Sequence, residues 1–282
     1  NGAEYFPALE TAIDHARREI FFESYIYEYD ATGRRISAAL QRAAGRGVTV
    51  HLLLDGFGSR ALPASAVDEM RAAGVQVMFY RPDVSLRLKR HRLRRLHRKV
   101  AVIDTRIAFV GGINIIDDMD APGQIPPRFD YAVAVEGPLL AEILQSARQL
   151  WALIGWLQLR LHYSRRQQAP LHIEPQGEMA AAFVRRDNIR HRRDIENAYL
   201  EAIDSARDEI IIANAYFLPG RRIRQALAQA AARGVRVVLL LQGRVEYVLL
   251  HYASRALYSV LLGAGIEIYS YHQSFLHAKV AV

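Results

Sequence analysis

The sequence contains no cysteine, which removes disulfide staples, thiolate nucleophiles and cysteine-type zinc sites at once. The same absence fits a reducing compartment, where packing alone must hold the fold. Long apolar runs are missing too. The longest, Leu150 to Leu157 (LWALIGWL), falls well short of the roughly 20 residues of a membrane-spanning helix. Acidic residues are in the minority: 29 Asp and Glu against 37 Lys and Arg leave a net charge of +8. That balance favours anionic partners, whether nucleic acid, an anionic lipid surface or a phosphate-bearing substrate, and charge alone does not choose among them. With 51% hydrophobic and 23% charged residues, the composition is that of a folded globular chain rather than a disordered one. The chain opens on Asn1 and closes at Val282 inside a predicted strand, so both ends read as trimmed.

What is present is an internal repeat. ALETAIDHARREIFFESYIY (Ala8 to Tyr27) matches AYLEAIDSARDEIIIANAYF (Ala198 to Phe217). Next, AALQRAAGRGVTVHLLLDG (Ala38 to Gly56) matches QALAQAAARGVRVVLLLQG (Gln225 to Gly243), and AAGVQVMFY (Ala72 to Tyr80) matches GAGIEIYSY (Gly263 to Tyr271). Finally LHRKVAV (Leu96 to Val102) answers LHAKVAV (Leu276 to Val282). Blocks repeated in the same order predict two homologous halves. Within each, helical spacing alternates with β-branched runs, and Gly47 or Gly234 closes an Ala-rich helix ahead of a strand. The expected fold class is α/β: two α/β/α sandwich halves on mixed, largely parallel sheets, related by a pseudo-two-fold axis and sharing one cleft. The halves are read as residues 1–163 and 164–282, the second beginning with a polar connection, Ser164 to Glu178.

Chemistry concentrates where the fourth block falls. His97, Lys99 and Asp104 form H-x-K-x4-D, followed after six residues by Gly-Gly-x-Asn ending at Asn114. Alternation along a strand points His97 and Lys99 to one side. Asp104 has the opposite parity and reaches an imidazole only from a strand end. The second copy supplies His277 and Lys279, and its Asp position lies two residues past Val282. A phosphodiester repels nucleophiles, so a site for one needs cations on the non-bridging oxygens, and Lys99, Lys279 and the Asn114 amide suit that. Neutral imidazole is a competent nucleophile on phosphorus, and a protonated one donates to a leaving alkoxide. Asp104 would fix an imidazole's tautomer and favour its cation. No metal or organic cofactor is required.

This pattern resembles the HKD signature of the phospholipase D superfamily, and the resemblance covers essentially the whole chain. The segments GGIN, FDYAVAVEGPLL (Phe129 to Leu140) and SFLHAKVAV (Ser274 to Val282) are similar to those of bacterial cardiolipin synthases lacking membrane-spanning segments. The resemblance implies a phosphatidyltransferase of phospholipid biosynthesis that acts through a phosphohistidine. His97 would be the nucleophile, and His277 the general acid that later deprotonates the acceptor alcohol. Phosphatidylglycerol would be the acceptor, with phosphatidylglycerol or phosphatidylethanolamine as donor. The protein would sit peripherally on the anionic cytoplasmic face of the bacterial inner membrane, and a monomer suffices for catalysis. A phosphodiesterase or nuclease of the same superfamily, acting on phospholipid or nucleic acid, is the alternative.

Other segments bear on substrate. The basic stretch Arg87 to Lys99 (RLKRHRLRRLHRK), with Leu86, Leu93 and Leu96 on one helical side, reads as a contact for anionic head groups, with a solvated loop or nucleic-acid contact as the competing reading. The segment Leu150 to Arg166, with both tryptophans, is either packed core or an interfacial stripe. Asp117, Asp118 and Asp120 read as a solvated loop, and His91 and His272 as no part of a metal site, because the neighbouring lysines would repel a cation. Asp55 reads as a structural residue at a strand end.

Overall fold

Strands that are apolar at consecutive positions need cover on both faces, and EIFFES in β1 (Glu19–Ser24) and TVHLLLD in β2 (Thr49–Asp55) are of that kind. The computed structural model describes residues 1–81, 95–121, 123–158, 173–187, 191–245 and 248–282. The chain divides into two compact units, the first comprising Asn1–Asp117 and Ala132–Phe183, the second Asp118–Tyr131 and Val184–Val282. Much of the basic stretch (82–94) and of the connection (164–172) lies outside the described residues.

In chain order the first unit opens with α1 (Gly2–Asp14) and β1, then α2 (Ala31–Gly45), β2, α3 (Ala64–Ala72), β3 (Gln76–Tyr80), β4 (Val100–Ile103) and β5 (Ile107–Gly111). The chain then enters the second unit for β6 (Arg128–Phe129), and returns for β7 (Ala132–Val135) and α4 (Leu140–Leu157). The sheet runs β3-β2-β1-β4-β5-β7. Its β1, β2 and β3 are parallel, whereas β4, β5 and β7 are antiparallel additions. The sheet is therefore mixed but not largely parallel, because β4 and β5 are joined by a tight hairpin, which forces antiparallel pairing. Parity sorts the core. Phe22, Leu52 and Leu54 pack with Leu9, Leu40 and Met70 on one side, and Phe21, Leu53 and Val102 pack with Leu144 and Trp151 on the other.

The second unit contains α5 (Asp194–Ser205), β8 (Glu209–Asn214), α6 (Arg221–Ala232), β9 (Arg236–Gln242), α7 (Val248–Arg255), α8 (Tyr258–Gly263), β10 (Glu267–Tyr271), β11 (Phe275–Leu276) and β12 (Lys279–Ala281). Its sheet is β10-β9-β8-β12, with only β12 antiparallel, and β11 pairs separately with β6. The repeat reaches down to single hydrogen bonds. After α2, Gly47 at φ 87° lets the Val48 amide reach the Ala43 carbonyl, and after α6, Gly234 at φ 91° lets Val235 reach Ala230. Both are Schellman closures, for which a left-handed residue is needed and glycine carries no Cβ penalty.

One buried side chain makes the first unit acid-sensitive. His51 of β2 lies between the Phe21 ring, 4.4 Å away, and the Trp151 ring, 4.7 Å away, and burial lowers its pKa to about 4. An unfolded chain binds that proton near pH 6.5, so nothing is lost above that pH. Stability falls as pH drops from about 6.5 to 4, by about 3 kcal/mol at the lower end. The His51→Leu variant should therefore lose less stability than the parent between pH 7.5 and pH 5, read from urea midpoints. Equal acid losses in the two proteins would refute this account.

Candidate active site

His97 and Lys99 stand at the N-terminal approach to β4, and the residue between them anchors the backbone. Arg98 points away and places its Nε 2.8 Å from Oε2 of buried Glu23, with Nη2 donating to Ser146 at 3.2 Å. That frees the other side of the strand for His97 and Lys99. The Lys99 ammonium lies 3.3 Å from His97 Nε2 and 5.0 Å from the centre of the Tyr25 ring, against which the His97 ring also packs at 4.7 Å. With Nε2 accepting from the ammonium, the ring proton belongs on Nδ1 and the Nε2 lone pair faces the cation. Asn114 is tied through Oδ1, which accepts from the Ile26 amide at 3.1 Å, and its Nδ2 hydrogens are uncommitted among the described residues. Tyr25 and Ile26 thus bring the GGIN turn and the H-x-K strand to one place.

The second unit repeats the arrangement with an added carboxylate. Lys279 Nζ donates to the His277 carbonyl at 2.5 Å and lies 3.2 Å from Nδ1 and 3.3 Å from Nε2 of the same ring, so it sits across the ring rather than on Nε2 as Lys99 does. On the other ring nitrogen, His277 Nδ1 meets Asp130 Oδ2 at 2.7 Å, and Asp130 is 5% exposed. The His277 amide donates to the Phe129 carbonyl at 2.8 Å, so β6 fixes both the backbone and the ring of His277. A carboxylate on Nδ1 sets the tautomer and stabilises positive charge on the imidazole.

The residues before the two histidines are held alike. Buried Asp55 accepts the Leu96 amide at 2.7 Å, and Gln242, its repeat counterpart, accepts the Leu276 amide at 3.1 Å. Asp55 is structural, as its sequence position suggested. Asp104 departs from expectation. Its carboxylate accepts from the amides of Arg17 (2.6 Å), Arg18 (2.7 Å) and Glu19 (3.0 Å) at the far end of β4, and so does not orient an imidazole. With Thr105 it also occupies the left-handed region, at φ 52° and 56°, forming the tight turn between β4 and β5. The aspartate of the signature is a turn and tie residue, and the carboxylate on an imidazole is Asp130.

The family model described as cardiolipin synthase, PLD-like domain, matches residues 9–119 and 199–282, the two halves of the repeat. Cardiolipin synthase B of Salmonella typhi is 43% identical over the whole chain, which spans 68% of that protein, and its Escherichia coli K12 namesake is 41% identical over the same share. This chain belongs to the phospholipase D superfamily, in its cardiolipin synthase B group. Cardiolipin synthases are phosphatidyltransferases, and the twin His and Lys pairs are what that chemistry asks of a protein. The crystal structure of phosphatidylserine synthase from Haemophilus influenzae Rd KW20 shares the fold, with a TM-score of 0.66 over 100% of this chain and 74% of that one at 12% identity. Neither spacing nor repeat singles out Asp130 in the FDYAVAVEG segment of this cardiolipin synthase sequence. Its signal is a lone acid between two aromatic residues at the end of a very short strand.

Proposed function

We propose that this protein makes cardiolipin by moving a phosphatidyl group from one phosphatidylglycerol to the free hydroxyl of another, releasing glycerol. The observation that carries this is the repeated pair of His and Lys side chains, one in each unit, with Lys99 3.3 Å from His97 Nε2 and Lys279 lying against the His277 ring. Lys99 turns its hydrogen bond from His97 to a non-bridging oxygen of the arriving phosphodiester, and Nε2 is left facing phosphorus. As the N–P bond forms, the P–O bond to glycerol breaks and protonated His277, backed by Asp130, gives its proton to the leaving oxygen. The second lipid's hydroxyl returns a proton to His277 as it attacks the phosphohistidine, and His97 departs. Asn114 and Lys279 stabilise charge on the same phosphoryl oxygens. Phosphatidylethanolamine serves the first step equally well in this scheme, with ethanolamine leaving.

The protein meets its substrates as a peripheral protein on the cytoplasmic face of the bacterial inner membrane. Among the described residues no helix is long and apolar enough to cross a membrane. Exposed positions along α4 change character instead: Glu142, Gln145 and Gln149 give way to Leu153, Trp156 and Leu157, which are 52%, 65% and 60% exposed. Trp151, by contrast, is core at 6% exposed. A tryptophan flanked by leucines on an outward helix end suits the interfacial layer of a bilayer.

One vesicle experiment tests both statements. Full-length protein with labelled phosphatidylglycerol vesicles should yield cardiolipin and free glycerol, and should leave single-stranded DNA intact. Cleaved DNA without cardiolipin would favour the nuclease reading. Addition of the same vesicles should shift tryptophan emission to the blue, an effect lost in the Trp156→Ser variant. An unchanged spectrum in the parent would remove α4 from the membrane contact.

A further inference from the structure

Several arginines of the first unit are paired with carboxylates: Arg35, Arg42 and Arg46 face Glu10 or Asp14, Arg71 faces Asp68, Arg98 faces Glu23 and Arg148 faces Glu19. Arg60 and Arg95 differ. Each places its guanidinium carbon 4.5 Å from the centre of the same ring, that of Phe57, and neither has a carboxylate partner among the described residues. A ring face attracts a cation without neutralising it, so the fold has gathered two positive charges with no salt-bridge partner for either among the described residues.

The support under this pair is rigid. Asp55 Oδ1 accepts from the Phe57 and Gly58 amides at 3.0 and 2.9 Å, while its Oδ2 holds the Leu96 amide. Gly58 packs so tightly on the Tyr25 carbonyl that a Cβ there would lie 2.2 Å from the oxygen, and Ser59 Oγ donates to the same carbonyl at 3.1 Å. Both anchoring points border His97: Leu96 precedes it in the chain and the Tyr25 ring lies against it. Arg60 also walls an open recess of about 300 Å³ with Ser59, Leu62, Val67, Phe79 and the Asp68–Arg71 ion pair, which leaves Arg60 as the cation of that lining with no carboxylate in salt-bridge reach among the described residues.

The repeat shows what the cluster is not for. Phe57 corresponds to Arg244 in the second half, and Arg95 to Phe275. The His and Lys pairs are duplicated, and this pair of arginines is not. A reacting phosphorus is served by both copies, whereas a second phosphate, one that does not react, needs only a single holder. On the proposed cardiolipin-forming reaction, which this inference rests on, the acceptor lipid brings such a phosphate.

We infer that Arg60 and Arg95, stacked on Phe57, bind the phosphodiester of the acceptor phosphatidylglycerol and so select an anionic phospholipid as the second substrate. Their charge acts on the acceptor alone, and the first half of the reaction proceeds without them.

Two assays on the Arg60→Gln/Arg95→Gln variant separate these roles. Exchange of labelled glycerol into phosphatidylglycerol needs His97 chemistry and one lipid only, and it should stay within about twofold of the parent. Cardiolipin formation needs the acceptor, and its half-saturating mole fraction of phosphatidylglycerol should rise about tenfold or more, as for loss of a charged hydrogen bond. The single Arg60→Gln variant should show a smaller rise, with Arg60→Lys recovering part of it. Exchange and cardiolipin formation falling together, or neither changing, would overturn the inference. A parent protein that exchanges glycerol but forms no cardiolipin, or that does neither, would overturn the proposed reaction itself and this role with it.

Discussion

The His97→Ala variant is expected to lose phosphatidyl transfer by roughly 10⁴-fold or more, because it removes the atom that bonds to phosphorus rather than one that tunes it. His97 is an exposed residue, so its truncation leaves no large cavity, and thermal unfolding should move little. The His277→Ala variant should be comparably slow on phosphatidylglycerol, for a different reason. It keeps the nucleophile and lacks the proton donor for a poor leaving group. A phosphatidyl ester of p-nitrophenol, whose leaving group needs no acid, distinguishes the two. His277→Ala should give a burst of p-nitrophenol and accumulate an acid-labile phosphatidyl group on His97, since transfer of that group to an alcohol still needs a base. His97→Ala should give no burst. A burst in His97→Ala and none in His277→Ala would reverse the roles. The half-symmetric sequence makes that reversal the serious competitor, and the carboxylate on His277 is what favours the present assignment.

The repeat explains how much of this was legible in advance. Matching blocks announce the α/β halves, their helix ends at Gly47 and Gly234, and the placing of His97 and His277, because those features are local: a period, a left-handed closure, a residue before a strand. The turn after Asp104 into the paired strand IAFVGG was legible, but the expectation of a largely parallel sheet holds only in the second unit, since in the first β4, β5 and β7 all add antiparallel. Asp104 misled nonetheless. Its spacing in the signature is regular because the Asp104–Thr105 turn and the three amides of residues 17–19 need an aspartate at that place, and regular spacing looks the same whether the cause is a turn or a reaction. Asp130 was hidden for the opposite reason. It belongs to a segment, Asp118–Tyr131, that sits in sequence among first-unit strands yet folds with the second unit, and only that excursion brings it 147 positions back from His277 to within 2.7 Å of its ring. No periodicity in the chain encodes such a pairing.

The two aspartates therefore predict opposite phenotypes, and Asp130→Asn is the sharper test. Asparagine keeps the shape but has one acceptor oxygen where the carboxylate used two, so it serves either the Tyr131 amide, held by Oδ1 at 2.8 Å, or His277 Nδ1–H, held by Oδ2 at 2.7 Å, and turns its NH2 to the other. What disappears is the negative charge that stabilises the imidazolium, and with it the certainty of the tautomer. In other enzymes where a buried carboxylate orients a catalytic histidine, such a change costs on the order of 10⁴ in kcat, and a loss of about 10²- to 10⁴-fold is expected here, with little change in Tm. Because the variant's His277 holds its proton less well, the rate of glycerol exchange should recover as pH is lowered, whereas the parent should not gain. Asp104→Ala reads the other way. It strips the acceptor from three amides, which should lower stability by about 3 kcal/mol, while the folded fraction exchanges glycerol at nearly the parent rate. A fully active Asp130→Asn, or a well-folded Asp104→Ala that is catalytically dead, would return the imidazole-orienting role to Asp104 and dissolve the assignment of His277 as the acid.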